Sequence, residues 1–142
     1  MKRLLYLLLL MLFTLTLTAC SRKEKGLVGP DASPDALPDL AGTYAVNGVD
    51  PLNTEYSGHL TIWAGEQPGT YQMQWIIVGS IQEGTGVVEG NQLVVEWHST
   101  EGFAGESSGT STYIISVNGE LSGVRNVDGL SQPGVETAFP NQ

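Results

Sequence analysis

The chain has 142 residues, with six Lys and Arg against fifteen Asp and Glu for a net charge of −9, and one cysteine. From residue 40 to 142 the imbalance sharpens to eleven acids against Arg125 alone, a net −10. Such a domain cannot gain by neutralising phosphates, the main source of nucleic-acid affinity, and an anionic bilayer repels it, whereas a basic protein is drawn to it through a faster on-rate.

In chain order, Lys2 and Arg3 precede an apolar run from Leu4 to Leu17. A basic start, a short apolar stretch and small residues make a secretory signal. The run is shorter than the roughly 17–25 residues of a spanning helix and ends before Arg22 and Lys23. Leu17-Thr18-Ala19-Cys20 resembles the lipobox of bacterial lipoproteins. That resemblance implies cleavage before Cys20, a thioether diacylglycerol on its sulfur and an acylated new N-terminus. Several acyl chains exceed the two signals that stable anchoring needs. Ser21, rather than aspartate, after the anchor resembles the signal for an outer-membrane destination. On this reading residues 1–19 are the signal peptide and the exported chain keeps no cysteine for a disulfide framework or thiol catalysis.

Residues 20–39 read SRKEKGLVGPDASPDALPD after the cysteine, with Pro30, Pro34 and Pro38 at four-residue intervals. The composition predicts a semi-extended, flexible tether that buries little. Its Arg22, Lys23 and Lys25 are placed to meet anionic headgroups or simply to be solvated.

Residues 40–142 form one small domain. The period is two, with turn residues about every ten positions. Strands are predicted over Gly42–Gly48, Glu55–Ala64, Thr70–Val78, Ile81–Val88, Gln92–His98, Thr112–Val117, Leu121–Asn126 and Val135–Phe139. Tyr56, Leu60 and Ile62 share one face, as do Tyr71, Met73, Trp75 and Ile77, then Leu93, Val95 and Trp97, then Tyr113, Ile115 and Val117. Glu89-Gly90-Asn91-Gln92 and Val117-Asn118-Gly119-Glu120 read as two-residue hairpin turns. The fold class is all-β: about eight antiparallel strands in an up-and-down small barrel or a strongly curled sheet, closure being one way to remove exposed edges. An interior of eight strands is filled by side chains or holds one small ligand.

The pattern Gly42-Thr-Tyr44-Ala-Val46-Asn-Gly48, Tyr56-Ser-Gly58, Gly69-Thr-Tyr71 with Trp75, Gly84-Thr-Gly86, Tyr113-Ile-Ile115, Gly119-Glu-Leu121-Ser-Gly123 and Gly134-Val-Glu136 resembles a family of small exported bacterial β domains. Some members of that family are labelled fibronectin-binding. The likeness spans nearly all of Gly42 to Pro140 and rests on turn glycines and core aromatics. It implies a fold, and a protein-binding role of matrix or fibronectin type. The family's Leu-x-Gly-x-Trp carries Arg125 here in place of the tryptophan.

Catalytic signatures are weak. Glu96 and His98 share a face, but Ser99, adjacent to His98, points to the opposite side of a continuing strand. His59 and His98 have no short-spaced ligand partner. Asp50-Pro-Leu-Asn53-Thr-Glu55 and Asn126-Val-Asp128-Gly129 are the best calcium loops, and neither has the EF-hand ligand alternation. The domain therefore reads as a binding module without cofactor or metal rather than an enzyme.

Two candidate partner surfaces stand out. One is a long loop, Ser99–Ser111, tipped by Phe103 with Glu101 and Glu106 beside it. The other is an apolar stripe of Ile76, Val78, Val94 and Ile114 opposite the aromatic face. Arg125 is placed with these. A third candidate is a pocket lined by Tyr71, Trp75, Trp97 and Tyr113; Trp63 is also available to a core or pocket. The three functional readings are a lipid-anchored protein-binding module, an inhibitor of a basic cell-wall enzyme, and a barrel for a small apolar ligand.

Overall fold

The computed structural model describes residues 28–102 and 107–141. Eight antiparallel strands follow one another: β1 (Gly42–Val49), β2 (Glu55–Ala64), β3 (Thr70–Ile77), β4 (Ser80–Glu89), β5 (Gln92–Gly102), β6 (Ser108–Ile115), β7 (Leu121–Val127) and β8 (Gly134–Pro140). Each pairs with its successor and β8 returns to pair with β1, closing an up-and-down barrel. The curled open sheet is thereby ruled out. Closure follows from alternation: every strand presents an inward row that is mostly apolar or small, so the sheet buries one face only by curling onto itself.

The inward rows match the predicted faces. Tyr44 and Val46, Leu60 and Ile62, Met73 and Trp75, Leu93 and Val95, Tyr113 and Ile115 are all buried. Val117 departs from its predicted face because it lies beyond the end of β6, in a turn, and is exposed. Trp63 likewise lies on the outer face and is half exposed. Glycine suits position 48 on β1 because the ring of Tyr56 crosses the space a side chain there would occupy.

The turn after β6 is longer than predicted. Ser116 pairs with Glu120 around Val117-Asn118-Gly119, and only Gly119 has positive φ, at 80°. A three-residue loop needs a single left-handed residue, where the two-residue Asn-Gly turn would need two.

One end of the barrel carries the β2–β3, β4–β5 and β6–β7 turns, and the chain that enters β1 crosses it. Here the tether expectation is corrected for residues 28–39. Asp31 bridges Ser116, the Ala32 amide donates to the Ile115 carbonyl, and the Val117 amide donates to the Pro30 carbonyl. Ala32 and Leu40 are buried and Leu37 packs against the core. A few apolar residues spaced among prolines suffice to dock such a segment when it can hydrogen-bond a free strand end. Residues 20–27, including Cys20, lie outside the described residues, as do 1–19.

The predicted Ser99–Ser111 loop is also mostly strand. β5 runs on to Gly102 and β6 begins at Ser108, with the Ser99 amide donating to the Ser107 carbonyl. Serine, threonine and glycine hid the ladder because they read as turn residues, yet half of them face water where polarity costs nothing. Between Ile81 and Gln82 the register shifts against β5, so Thr100 is the extra residue of a bulge.

Candidate functional site

In the barrel's other half, four inward side chains are tied to one carboxylate. Glu136 on β8 is buried, and both its oxygens are occupied. Oε1 accepts from Trp75 Nε1 at 3.0 Å and Tyr113 Oη at 2.6 Å. Oε2 accepts from Tyr56 Oη at 2.7 Å and Arg125 Nη1 at 3.0 Å. Arg125 Nη2 donates in turn to Gln82 Oε1 on β4. The cluster thus links β2, β3, β4, β6, β7 and β8.

Register explains the ion pair. Gly123 lies opposite Glu136 and Arg125 opposite Gly134, so Arg125 and Glu136 are diagonal neighbours on the inner face. The guanidinium lies between two indoles, its Cζ 4.2 Å from the Trp97 ring centroid and 4.9 Å from that of Trp75. Arginine suits this position because its planar, weakly hydrated head stacks on rings while its edge donates to a carboxylate. Burial pulls the Arg125 guanidinium down, but the Glu136 charge, the neighbouring Tyr113 and Tyr56 and the hydrogen bond to Glu136 together outweigh it and hold it above its ordinary value. Burial, then the Glu136 charge, raises the hydroxyls of Tyr113 and Tyr56 well above the usual phenol range.

Two buried polar atoms have no hydrogen-bond partner among the described residues, Trp97 Nε1 and Ser111 Oγ. Ser111 lies opposite both Val95 and Arg125, which makes it a diagonal neighbour of Trp97 on the inner face.

The predicted candidates separate as follows. Trp75, Trp97 and Tyr113 do converge in the interior, with Tyr71 half-buried nearer the strap-covered end. Arg125 is 5% exposed and offers nothing to a partner surface; its place on an inward row of β7 puts it inside. Ile76 (54% exposed) and Val78 (85%) are on the surface, but they do not join Val94 and Ile114, which are half-buried. Ile76 pairs with Ile81 and Ile81 with Glu101, seven residues along β5 from Val94. At the rise of a strand that is about 23 Å. Glu101 is exposed at the end of β5, while Phe103 and Glu106 lie outside the described residues. His59 and His98 face outward, and no group of three metal-ligating side chains occurs among the described residues. Asp50 is a turn residue: its Oδ1 accepts from the Leu52 and Thr54 amides, each at 2.8 Å.

Glu136, Gln82 and Tyr56 were not among the sequence candidates for a site, and Ser111 entered only as the end of the predicted loop. In Gly134-Val-Glu-Thr-Ala-Phe139, hydrophobicity alone would turn Val135 and Phe139 inward, whereas Glu136 and Ala138 are the buried pair. The available signal was charge: one base in the whole domain, and an acid two strands' ends away in sequence that must meet it if both rows face in.

No protein-family model matches the sequence, and no curated protein matches it. Solved structures do match in fold. A redesigned β-barrel aligns with TM-score 0.62 at 10% identity, covering 80% of this chain and 99% of that one. A second redesigned barrel, bound to DFHBI, aligns at 0.59 with 13% identity over 72% of this chain and 94% of that one. A de novo designed fluorescence-activating barrel aligns at 0.51 with 15% identity, over 72% and 93%. At these identities the likeness is one of fold: a small closed barrel of the kind that designers have built from first principles.

Proposed function

We propose that the chain is an envelope lipoprotein, cleaved before Cys20 and lipid-anchored there to the outer membrane, whose barrel carries a protein-binding surface and performs no chemistry. One observation carries this reading. The only lysine or arginine among the described residues, Arg125, is neutralised inside the barrel by a carboxylate whose acceptor positions are all taken. That carboxylate has no acceptor position left to act as a base toward a substrate. What remains outside is acidic and apolar, which suits recognition of a protein. A matrix protein of fibronectin type is the first partner to try; a basic cell-wall enzyme is the rival.

The test uses the full chain, purified in detergent from bacterial membranes and immobilised. Retention of fibronectin at physiological salt supports the reading. Retention of lysozyme alone, lost as salt screens the charge, favours the enzyme-inhibitor alternative. Silence toward both overturns it. The anchor is checked separately: Cys20→Ser should move the protein from the membrane to the soluble fraction, and an unchanged distribution would remove the lipoprotein assignment.

A second reading, a barrel for a small ligand, is favoured by the two unpartnered buried donors, Trp97 Nε1 and Ser111 Oγ, beside a guanidinium stacked on indoles. Titration with DFHBI, the molecule held by one of the designed neighbours, reads this through quenching of tryptophan emission. A saturable change that is lost in Ser111→Val would support it; a flat titration would leave the interior as packing.

A further inference from the structure

The outer face of β1, β8 and β7 has an apolar row that chain-local patterning hides. Val49 lies directly opposite Val135, and Val135 directly opposite Val124. Val135 is 53% exposed and Val124 is exposed with it. Val78, at the β3–β4 turn, is the most exposed large apolar residue described, at 85%. Val49, Val78 and Val135 line one open cleft of about 660 Å³ with Glu55, Ser57 and Thr137 beside them. Glu55 sits opposite Val49 in the same row and is exposed. The single ion pair among the described residues is Arg125–Glu136, so Glu55 meets no cation there.

We propose that this cleft is the docking site, and that its occupant is a basic polypeptide segment in which lysine or arginine alternates with aliphatic side chains. The inference rests on the reading of the chain as a protein-binding module and names the surface and the chemistry. Aliphatic side chains of the partner cover the valines, and its cations meet Glu55 in a field that the whole acidic domain reinforces. Charge complementarity selects this occupant over the others. A second copy would bring Glu55 and a domain of net −10 against their like in a two-fold contact. An anionic bilayer would meet Glu55 and a domain of net −10 with repulsion.

The probe is a short fluorescein-labelled peptide of alternating lysine and valine, with a glutamate–valine peptide as control, followed by anisotropy against the full detergent-solubilised chain. The lysine peptide should bind and the glutamate peptide should not. Val135→Lys and Glu55→Lys should each weaken binding about tenfold or more, as for residues central to an interface. Val87→Lys, near the β4–β5 turn at the opposite end of the barrel, should change it less than about twofold. Circular dichroism and thermal melting confirm that each variant is folded. Equal binding of both peptides, or a Val135→Lys variant that binds normally, overturns the site. Self-association of the wild type that Val135→Lys abolishes overturns the occupant and makes it a second copy. If fibronectin capture persists in Val135→Lys, the module reading stands and only this site falls; if wild-type protein ignores both peptide and fibronectin, both fall.

Discussion

The two halves of the barrel interior solve the same problem with different chemistry. Toward the strap-covered end, Leu40, Val46, Leu60, Ile62, Met73, Leu93, Val95, Ile115, Leu121 and Ala138 form an ordinary apolar core. Toward the other end, Trp75, Trp97, Tyr113 and Tyr56 surround an ion pair and Gln82. The apolar half is tolerant: neighbouring side chains can shift into a lost volume, and nothing is left charged. The polar half is all or nothing, because removing one member strands the others in a low-dielectric interior. Specification of one register is the gain, since a one-residue slip of β7 or β8 would turn Arg125 or Glu136 outward.

The largest effect that tests this contrast is expected from Glu136→Ala, which leaves Arg125 and three hydroxyl or indole donors unpaired. It should cost about 3–5 kcal/mol in urea unfolding. Adding Arg125→Met to Glu136→Gln should recover only part of the loss, since Tyr56, Trp75 and Tyr113 still want the acceptor; full recovery would show that the cluster is held together by charge alone. In the apolar half, Leu60→Ala should cost about 3 kcal/mol, a cavity term without stranded charge. If it costs more than Glu136→Ala, the contrast between the halves fails. Tyr113→Phe removes one bond to a carboxylate and should cost about 2 kcal/mol.

The smallest effect is a slope with pH. Tyr44, whose hydroxyl donates to the Leu40 carbonyl at 2.8 Å, is pushed up to about 12 by burial first, with Asp39 and Tyr71 adding to it. A tyrosine raised in the folded state keeps its proton while the unfolded chain loses it above pH 10. Stability is therefore full below pH 10 and falls as pH rises from 10 to about 12, by about 1.4 kcal/mol per unit for each such tyrosine. Tyr113 and Tyr56 shift the same way, so alkaline unfolding curves should steepen accordingly. Tyr44→Phe and Tyr113→Phe should each flatten the slope, and an unchanged slope would place the alkaline sensitivity elsewhere.

Much of the fold was legible. Period-two runs with turn residues at regular spacing located eight strands, and Glu55–Ala64 was bounded to the residue. Strands with one apolar face have little freedom about which side is buried, so local pattern suffices. It failed where local pattern and local chemistry diverge. The serine- and threonine-rich ends of β5 and β6 looked like loop because their pairing partners are distant in sequence. Pro30 to Asp39 looked like tether because the strand end that holds it, Ser116 and Val117, is about eighty residues further on.

The candidate site was half legible. Trp75, Trp97 and Tyr113 could be picked out as a group because aromatics at alternate positions point one way. Their purpose could not, because Arg125 and Glu136 become partners only through the β7–β8 register, and Val49, Val135 and Val124 become a row only across three strands.

By itself, then, the sequence determined the acidity of the domain, the all-β class and most inward faces, all of which depend on composition or on neighbours two residues apart. Only the tertiary structure decided that the barrel closes, that its sole cation is buried against Glu136, that the strap completes one end and that an apolar row faces outward. Those depend on contacts between residues tens of positions apart, whose energies exist only once the strands are in register.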